Sequence, residues 1–162
     1  MGRILEHFCQ GLRILLGVLV ASLAIPVAMQ VLARYTGIIP VFLWTEELST
    51  FVFVWVVMIG SMVAVWEGTH FDVRVTPDAV RPLSVFLQQG VVLVLIGLFG
   101  LIFAYYGIEY AKFGYLQHSV MMQANKLTTF ISVPIAGVVW AVFAFYRLAE
   151  AFRIYRNSGK MA

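Results

Sequence analysis

LSTFVFVWVVMIGSMVAVW, residues Leu48–Trp66, is a run of 19 residues without Asp, Glu, Lys, Arg or His. A helix needs roughly 20 apolar residues to cross a ~30 Å hydrocarbon core. Inside lipid the backbone must satisfy its own hydrogen bonds, which leaves only helices and closed barrels. The run shows no strand-like alternation of polar and apolar residues, so it reads as a transmembrane helix. Three further runs stand around it: Ile14–Ala33 with 20 residues, Pro82–Ile108 with 27 and Leu127–Tyr146 with 20. The sequence therefore predicts an all-α integral membrane fold with four transmembrane helices, at about 12–34, 46–67, 82–110 and 126–149. One four-helix membrane domain would occupy 1–162, since no linker or low-complexity segment interrupts it.

Composition agrees. Hydrophobic residues make up 62% of the chain and charged residues 12%, with a mean hydropathy of +0.92. Soluble domains carry roughly 25% charged residues, so a water-facing surface could not be covered. A cleaved signal peptide is the rival reading of the first run. The stretch from Arg13 to Arg34 is too long for a signal core, however, and Ile25-Pro26 is a poor cleavage point. Cys9 is the only cysteine, which excludes an internal disulfide and a thiolate metal cluster.

The basic residues set an expected orientation. Eight Lys and Arg residues fall on the N-terminus, the middle loop and the C-terminus, against three (Arg34, Lys112, Lys126) on the other side. The positive-inside rule then places both termini in the cytoplasm, and a basic rim of this kind suits anionic lipid headgroups better than nucleic acid. Trp44 and Trp66 lie 22 residues apart, about 33 Å of helix, as expected of residues at the two membrane interfaces. Tyr105, Tyr106, Tyr110 and Tyr115 form a matching outer belt. Pro26 and Pro134 predict kinks in the first and fourth spans, with Thr128, Thr129 or Ser132 available to the carbonyl that Pro134 frees. Thr76-Pro77-Asp78 resembles the start of a short interfacial helix.

The absence of ionisable residues from the spans argues against an ion path or proton relay, which needs such groups within the membrane. Small residues recur at helical spacing instead. Gly17, Ala21, Ala24 and Ala28 line one face of the first helix, and Gly90, Gly97 and Ala104 repeat every seven residues in the third. Gly60 with Ala64, and Gly137 with Ala141, are small-xxx-small pairs. Such residues allow close helix approach in lipid. The seams either hold the four helices to each other, or one of them docks a larger membrane partner.

Arg34, Glu46 and Glu47 cluster at the outer interface. Thr45 is a candidate cap for the second helix, and carboxylates in a first turn suit the helix dipole. The cluster thus reads as a capped helix start, as an ion pair locking the hairpin, or as a polar patch offered to a partner. His7, His70 and His118 raise a haem-binding anchor of a redox complex as the alternative, but none lies mid-span. No catalytic constellation or metal site is present in the sequence pattern, so no enzymatic activity is expected.

Ala33-Arg34-Tyr35, Trp44-Thr45-Glu46-Glu47-Leu48, Gly68-Thr69-His70-Phe71-Asp72-Val73 and Pro134-Ile135-Ala136-Gly137, in this order, resemble the small membrane subunit of tripartite ATP-independent periplasmic (TRAP) transporters, the DctQ-like family. Ser49 and Thr50 depart from it, where members commonly carry a basic residue. The resemblance implies a bacterial inner-membrane subunit without a transport site of its own. It implies a large elevator-type membrane subunit as partner, typically driven by sodium, and a periplasmic substrate-binding protein that delivers an organic acid such as a dicarboxylate or sialic acid. Trp44, Gly68, His70 and Asp72 would be motif residues of the loops. No cofactor is implied for this chain, sodium belonging to the large subunit, and a bound phospholipid is compatible with it.

Overall fold

The computed structural model describes residues 2–36, 40, 42–68 and 82–158, with the backbone alone for 82–88 and 157–158. The expected interfacial helix at Thr76-Pro77-Asp78, and the motif residues His70 and Asp72, lie outside the described residues. Within them the chain forms α1 (Gly2–Thr36), α2 (Leu43–Glu67), α3 (Pro82–Tyr115), α4 (Leu127–Phe130) and α5 (Ser132–Ser158). Four helical spans are long and apolar enough to cross a membrane, the fourth being formed by α4 and α5 together. Outside the helices the only pairing among the described residues is an isolated bridge between His118 and Asn125.

The helices extend beyond the apolar runs that predict them. α1 is 35 residues long and passes through Pro26 without interruption. The fourth span breaks at Ile131, three residues before Pro134, whose ring nitrogen has no hydrogen to give to the Phe130 carbonyl in the helical ladder. Ser132 Oγ donates to Thr129 O at 2.7 Å and Thr128 Oγ1 to Asn125 O at 2.9 Å. These hydroxyls therefore serve the α4 turn, and not the Phe130 carbonyl that Pro134 leaves without its usual donor.

Neighbours are antiparallel in α1/α2 and α3/α5, and parallel in α2/α5. Gly60 faces Leu16, Gly97 faces Ala144 and Gly107 faces Pro134, while Trp66 stacks on Tyr146. In space the order is α1, α2, α5, α3. α1 packs its backbone closely only on α2, and α3 only on α4 and α5. The four spans form an open row with α1 and α3 at its edges. We call the end with the starts of α1 and α3 the terminal end, and the end with the starts of α2 and α4 the hairpin end.

Two contacts knit the terminal end. Cys9, Val63, Val65 and Phe143 are buried together, with Leu5, Leu12, Trp66 and Trp140 against them. Phe143 touches both Phe8 and Trp66, at ring-centroid distances of 6.2 and 5.0 Å. Trp66 is thus engaged by its own bundle, whereas Trp44 is exposed, as an interfacial indole would be. Arg13 pairs with Glu67 across α1 and α2.

The small-residue seams divide. Cβ atoms at Gly100 and Gly137 would lie 2.8 and 2.7 Å from each other's carbonyl oxygens, so α3 and α5 meet backbone to backbone. Gly97, Gly100, Ala104 and Gly107, spaced by three and four, form one stripe there. Gly90 meets Leu148, Gly60 meets Leu16 of α1, and Ala141 is buried. The α1 seam behaves differently: a Cβ at Gly17 would meet nothing within 4 Å, and Ala21, Ala24 and Ala28 are exposed. Three seams are internal and one faces outward.

Candidate functional site at the hairpin end

The segment between α3 and α4 folds back on itself. Ser119 N–H donates to Ala124 O at 2.8 Å and Lys126 N–H to Gln117 O at 3.0 Å, flanking the His118–Asn125 bridge. Gln123 completes the reversal at φ +54°, a left-handed conformation uncommon for residues with a side chain. Asn125 ties the loop to both helices, donating from Nδ2 to Tyr115 O at 3.1 Å and accepting at Oδ1 from Leu127 N–H at 2.8 Å.

The tip of this reversal closes around Glu47. Its carboxylate accepts from the Ser119 hydroxyl, from Val120 N–H at 3.2 Å, from Met121 N–H at 3.2 Å and from Met122 N–H at 2.9 Å. Successive backbone N–H groups in a turn form an anion-binding concavity. Here the anion is a side chain of the same protein, 72 to 75 residues away in sequence. Both oxygens are engaged, so Glu47 acts as a clamp between α2 and the loop. A second tie, Trp55 Nε1 to Thr128 O at 3.1 Å, fixes α4 to α2 further down.

Glu46 stands beside this clamp in the first turn of α2, exposed, with its carboxylate unpaired among the described residues. Arg34 lies across a small cleft of about 100 Å³ lined by both residues, yet it makes no ion pair with Glu46 or Glu47. The expected hairpin lock is therefore absent. In its place, Gln30 Nε2 donates to Ser49 Oγ at 2.9 Å and Ser49 Oγ to Thr45 O at 2.7 Å, a polar link between α1 and α2. Ser49, one of the two residues at which the sequence departs from the pattern it resembles, carries this link. Thr45 is not the helix cap. α2 starts earlier, at Leu43, with Phe42 as an N-cap lacking a side-chain bond, and Thr45 Oγ1 donates to Phe42 O at 2.7 Å.

Gly68 has a defined role at the opposite end. It terminates α2 at φ +75°, and its N–H donates to Ala64 O at 2.9 Å. The Arg147 guanidinium packs over it and donates to Val65 O at 3.1 Å. A Cβ at Gly68 would lie 3.0 Å from the Arg147 Cζ. The left-handed conformation favours glycine, and a side chain here would also have to displace the Arg147 guanidinium.

His7 and His118 lie at opposite ends of the bundle, so these two cannot share a haem. His7 Nδ1–H donates to Arg3 O at 2.6 Å. Among the described residues no group of three or more His, Cys, Asp or Glu side chains could hold a metal ion. Sequence reasoning missed Ser119, Gln30, Trp55 and Arg147, each of which acts through a partner far away in the chain. Gly100 and Gly107 were open to detection, since they extend the Gly97 and Ala104 spacing.

Fold and site together define a multi-pass helical membrane protein with an outward small-residue face and a clamped loop at one end. The chain matches the family described as tripartite ATP-independent periplasmic transporters, DctQ component, over residues 23–154. That match covers most of its length, and the chain belongs to this family. It is thus a component of a tripartite transporter. Among curated proteins none matches it.

Proposed function

We propose that this chain is the non-catalytic scaffold subunit of a bacterial inner-membrane TRAP transporter. It braces the large elevator-type subunit, and its hairpin end faces the periplasm to help receive the substrate-binding protein. The observation that carries this reading is the open row of helices. Three small-residue seams are consumed internally, while the α1 face at Gly17, Ala21, Ala24 and Ala28 stays uncovered, and close approach through small residues is how helices associate in lipid. The eight-to-three distribution of Lys and Arg supports the orientation, in which Arg34 and Glu46 would face the periplasm. Charge-free spans fit a brace better than a carrier. Sodium coupling and the choice of organic acid then reside in the partners.

The test is reconstituted uptake with purified components. Uptake should require this chain, a many-span membrane partner and a periplasmic binding protein. Replacing Ala21 and Ala24 by Leu should abolish co-purification with the membrane partner while leaving the isolated chain folded. Uptake by this chain alone would refute the proposal.

A further inference from the structure

The adjacent glutamates have different fates. Glu47 is consumed by four donors, whereas the exposed Glu46 carboxylate makes no hydrogen bond or ion pair among the described residues. Glu46 lines a groove of about 610 Å³ between α2 and the 119–130 segment, within the ~300–1,000 Å³ range of small-molecule sites. On the opposite side the same groove is lined by Lys126, whose ammonium is likewise without a partner among the described residues. Two opposite charges thus share one groove without pairing. Below them the walls become apolar at Leu48, Phe51 and Phe130. From Glu46 to Phe51 the groove descends about 7.5 Å along α2. It therefore begins polar at the helix start and ends within the apolar run Leu48–Trp66.

We infer that this groove binds a zwitterionic phospholipid with a primary ammonium headgroup, of the phosphatidylethanolamine type. Phe51 belongs to the charge-free run Leu48–Trp66, which reads as the membrane-crossing stretch, so a soluble protein is a poor occupant of the groove floor, and a purely apolar helix would leave Glu46 and Lys126 unpaired. A phosphoethanolamine headgroup offers one charge to each: its ammonium donates to the Glu46 carboxylate, and its phosphate accepts from Lys126. An acyl chain then lies along Phe51 and Phe130. Thr129, which also lines the groove, makes no side-chain bond within the described residues and is a second donor for the phosphate.

The experiment is native mass spectrometry of the full chain in mild detergent, titrated separately with phosphatidylethanolamine, phosphatidylcholine and phosphatidylglycerol of identical acyl chains. Phosphatidylethanolamine should bind about fivefold more tightly than phosphatidylglycerol, the size of one partly exposed ion pair. Glu46→Gln should erase that preference, because the ammonium then has no carboxylate. Lys126→Gln should weaken all three lipids, and Lys126→Arg should restore them. Neither side chain holds the fold, and circular dichroism of each variant checks this. Equal binding of the three lipids, or an unchanged preference in Glu46→Gln, would overturn the inference. So would the pattern expected if a protein fills the groove: no headgroup preference, with both glutamine variants weakening co-purification of a membrane partner.

Discussion

Gly137→Ala and Gly17→Ala are the same chemical change on two seams, and the structure assigns them opposite signs. Alanine is favoured over glycine within a helix by about 1 kcal/mol, so both variants begin with the same gain. At Gly17 the new methyl meets nothing within 4 Å, and the isolated chain should keep that gain. At Gly137 it would lie 2.5 Å from Ala104 N, 2.7 Å from Gly100 O and 2.9 Å from Phe103 C. Carbon contacts are comfortable at about 3.5–4.0 Å, so α3 and α5 must separate by about 1 Å. Backbone atoms cannot rotate aside as a side chain would. Overpacking of this kind costs about 1–3 kcal/mol, and the separation also loosens the contacts at Gly97 and Gly107. The net effect at Gly137 should be about 1–2 kcal/mol of destabilisation, leaving the two variants about 2–3 kcal/mol apart. Reversible unfolding in mixed micelles, followed by far-ultraviolet circular dichroism, measures both. A Gly137→Ala protein as stable as the wild type would refute the α3/α5 packing. Equal damage from Gly17→Ala would refute the outward assignment of the α1 seam.

Glu47→Gln should release the loop tip, seen as faster hydrogen exchange at Val120, Met121 and Met122, with the helical amides of α3 unchanged. Gly68→Ala should destabilise the chain by about 1 kcal/mol from left-handed strain alone, and more if Arg147 is displaced from Val65 O; thermal unfolding in detergent reads this. The Arg13–Glu67 pair, with side chains 61% and 35% exposed, should give a coupling of about 0.2–1 kcal/mol in a double-mutant cycle, so a larger value would mean a drier site. Ser49→Ala should leave Gln30 without its partner inside the span and cost about 1–2 kcal/mol, whereas Thr50→Ala, one position on, should cost less because Thr50 bonds only its own helix.

The spans were legible because lipid imposes a simple rule on sequence. Nineteen or more residues without charge, as in Leu48–Trp66, leave few alternatives. Helix ends were harder to place, since α1 begins near Gly2 and α2 at Leu43, in stretches where polar residues are tolerated by interfacial water. The hairpin-end site was half legible. Arg34, Glu46 and Glu47 attract notice as charges beside a span, but nothing local tells one glutamate from the other. That distinction comes from Ser119 and three backbone N–H groups, brought to Glu47 by the packing of α3 and α4. Backbone donors carry no residue signature, so a clamp made largely of them is invisible in sequence. The seams were visible as spacing, yet whether a seam faces inward depends on the order of helices in space, which spacing does not encode.

That order has a consequence for biosynthesis. α1 and α2 can pair as soon as both have left the ribosome, but α3 follows with no close neighbour among them. It must wait in the bilayer for α5, which fills the place between α2 and α3 and joins the two halves. A nascent chain stopped before Ser132 would therefore be a hairpin tied to α3 only through the Glu47 and Trp55 contacts, with the Gly97–Gly107 stripe open to other membrane proteins. α5, made after the other described spans, completes their packing.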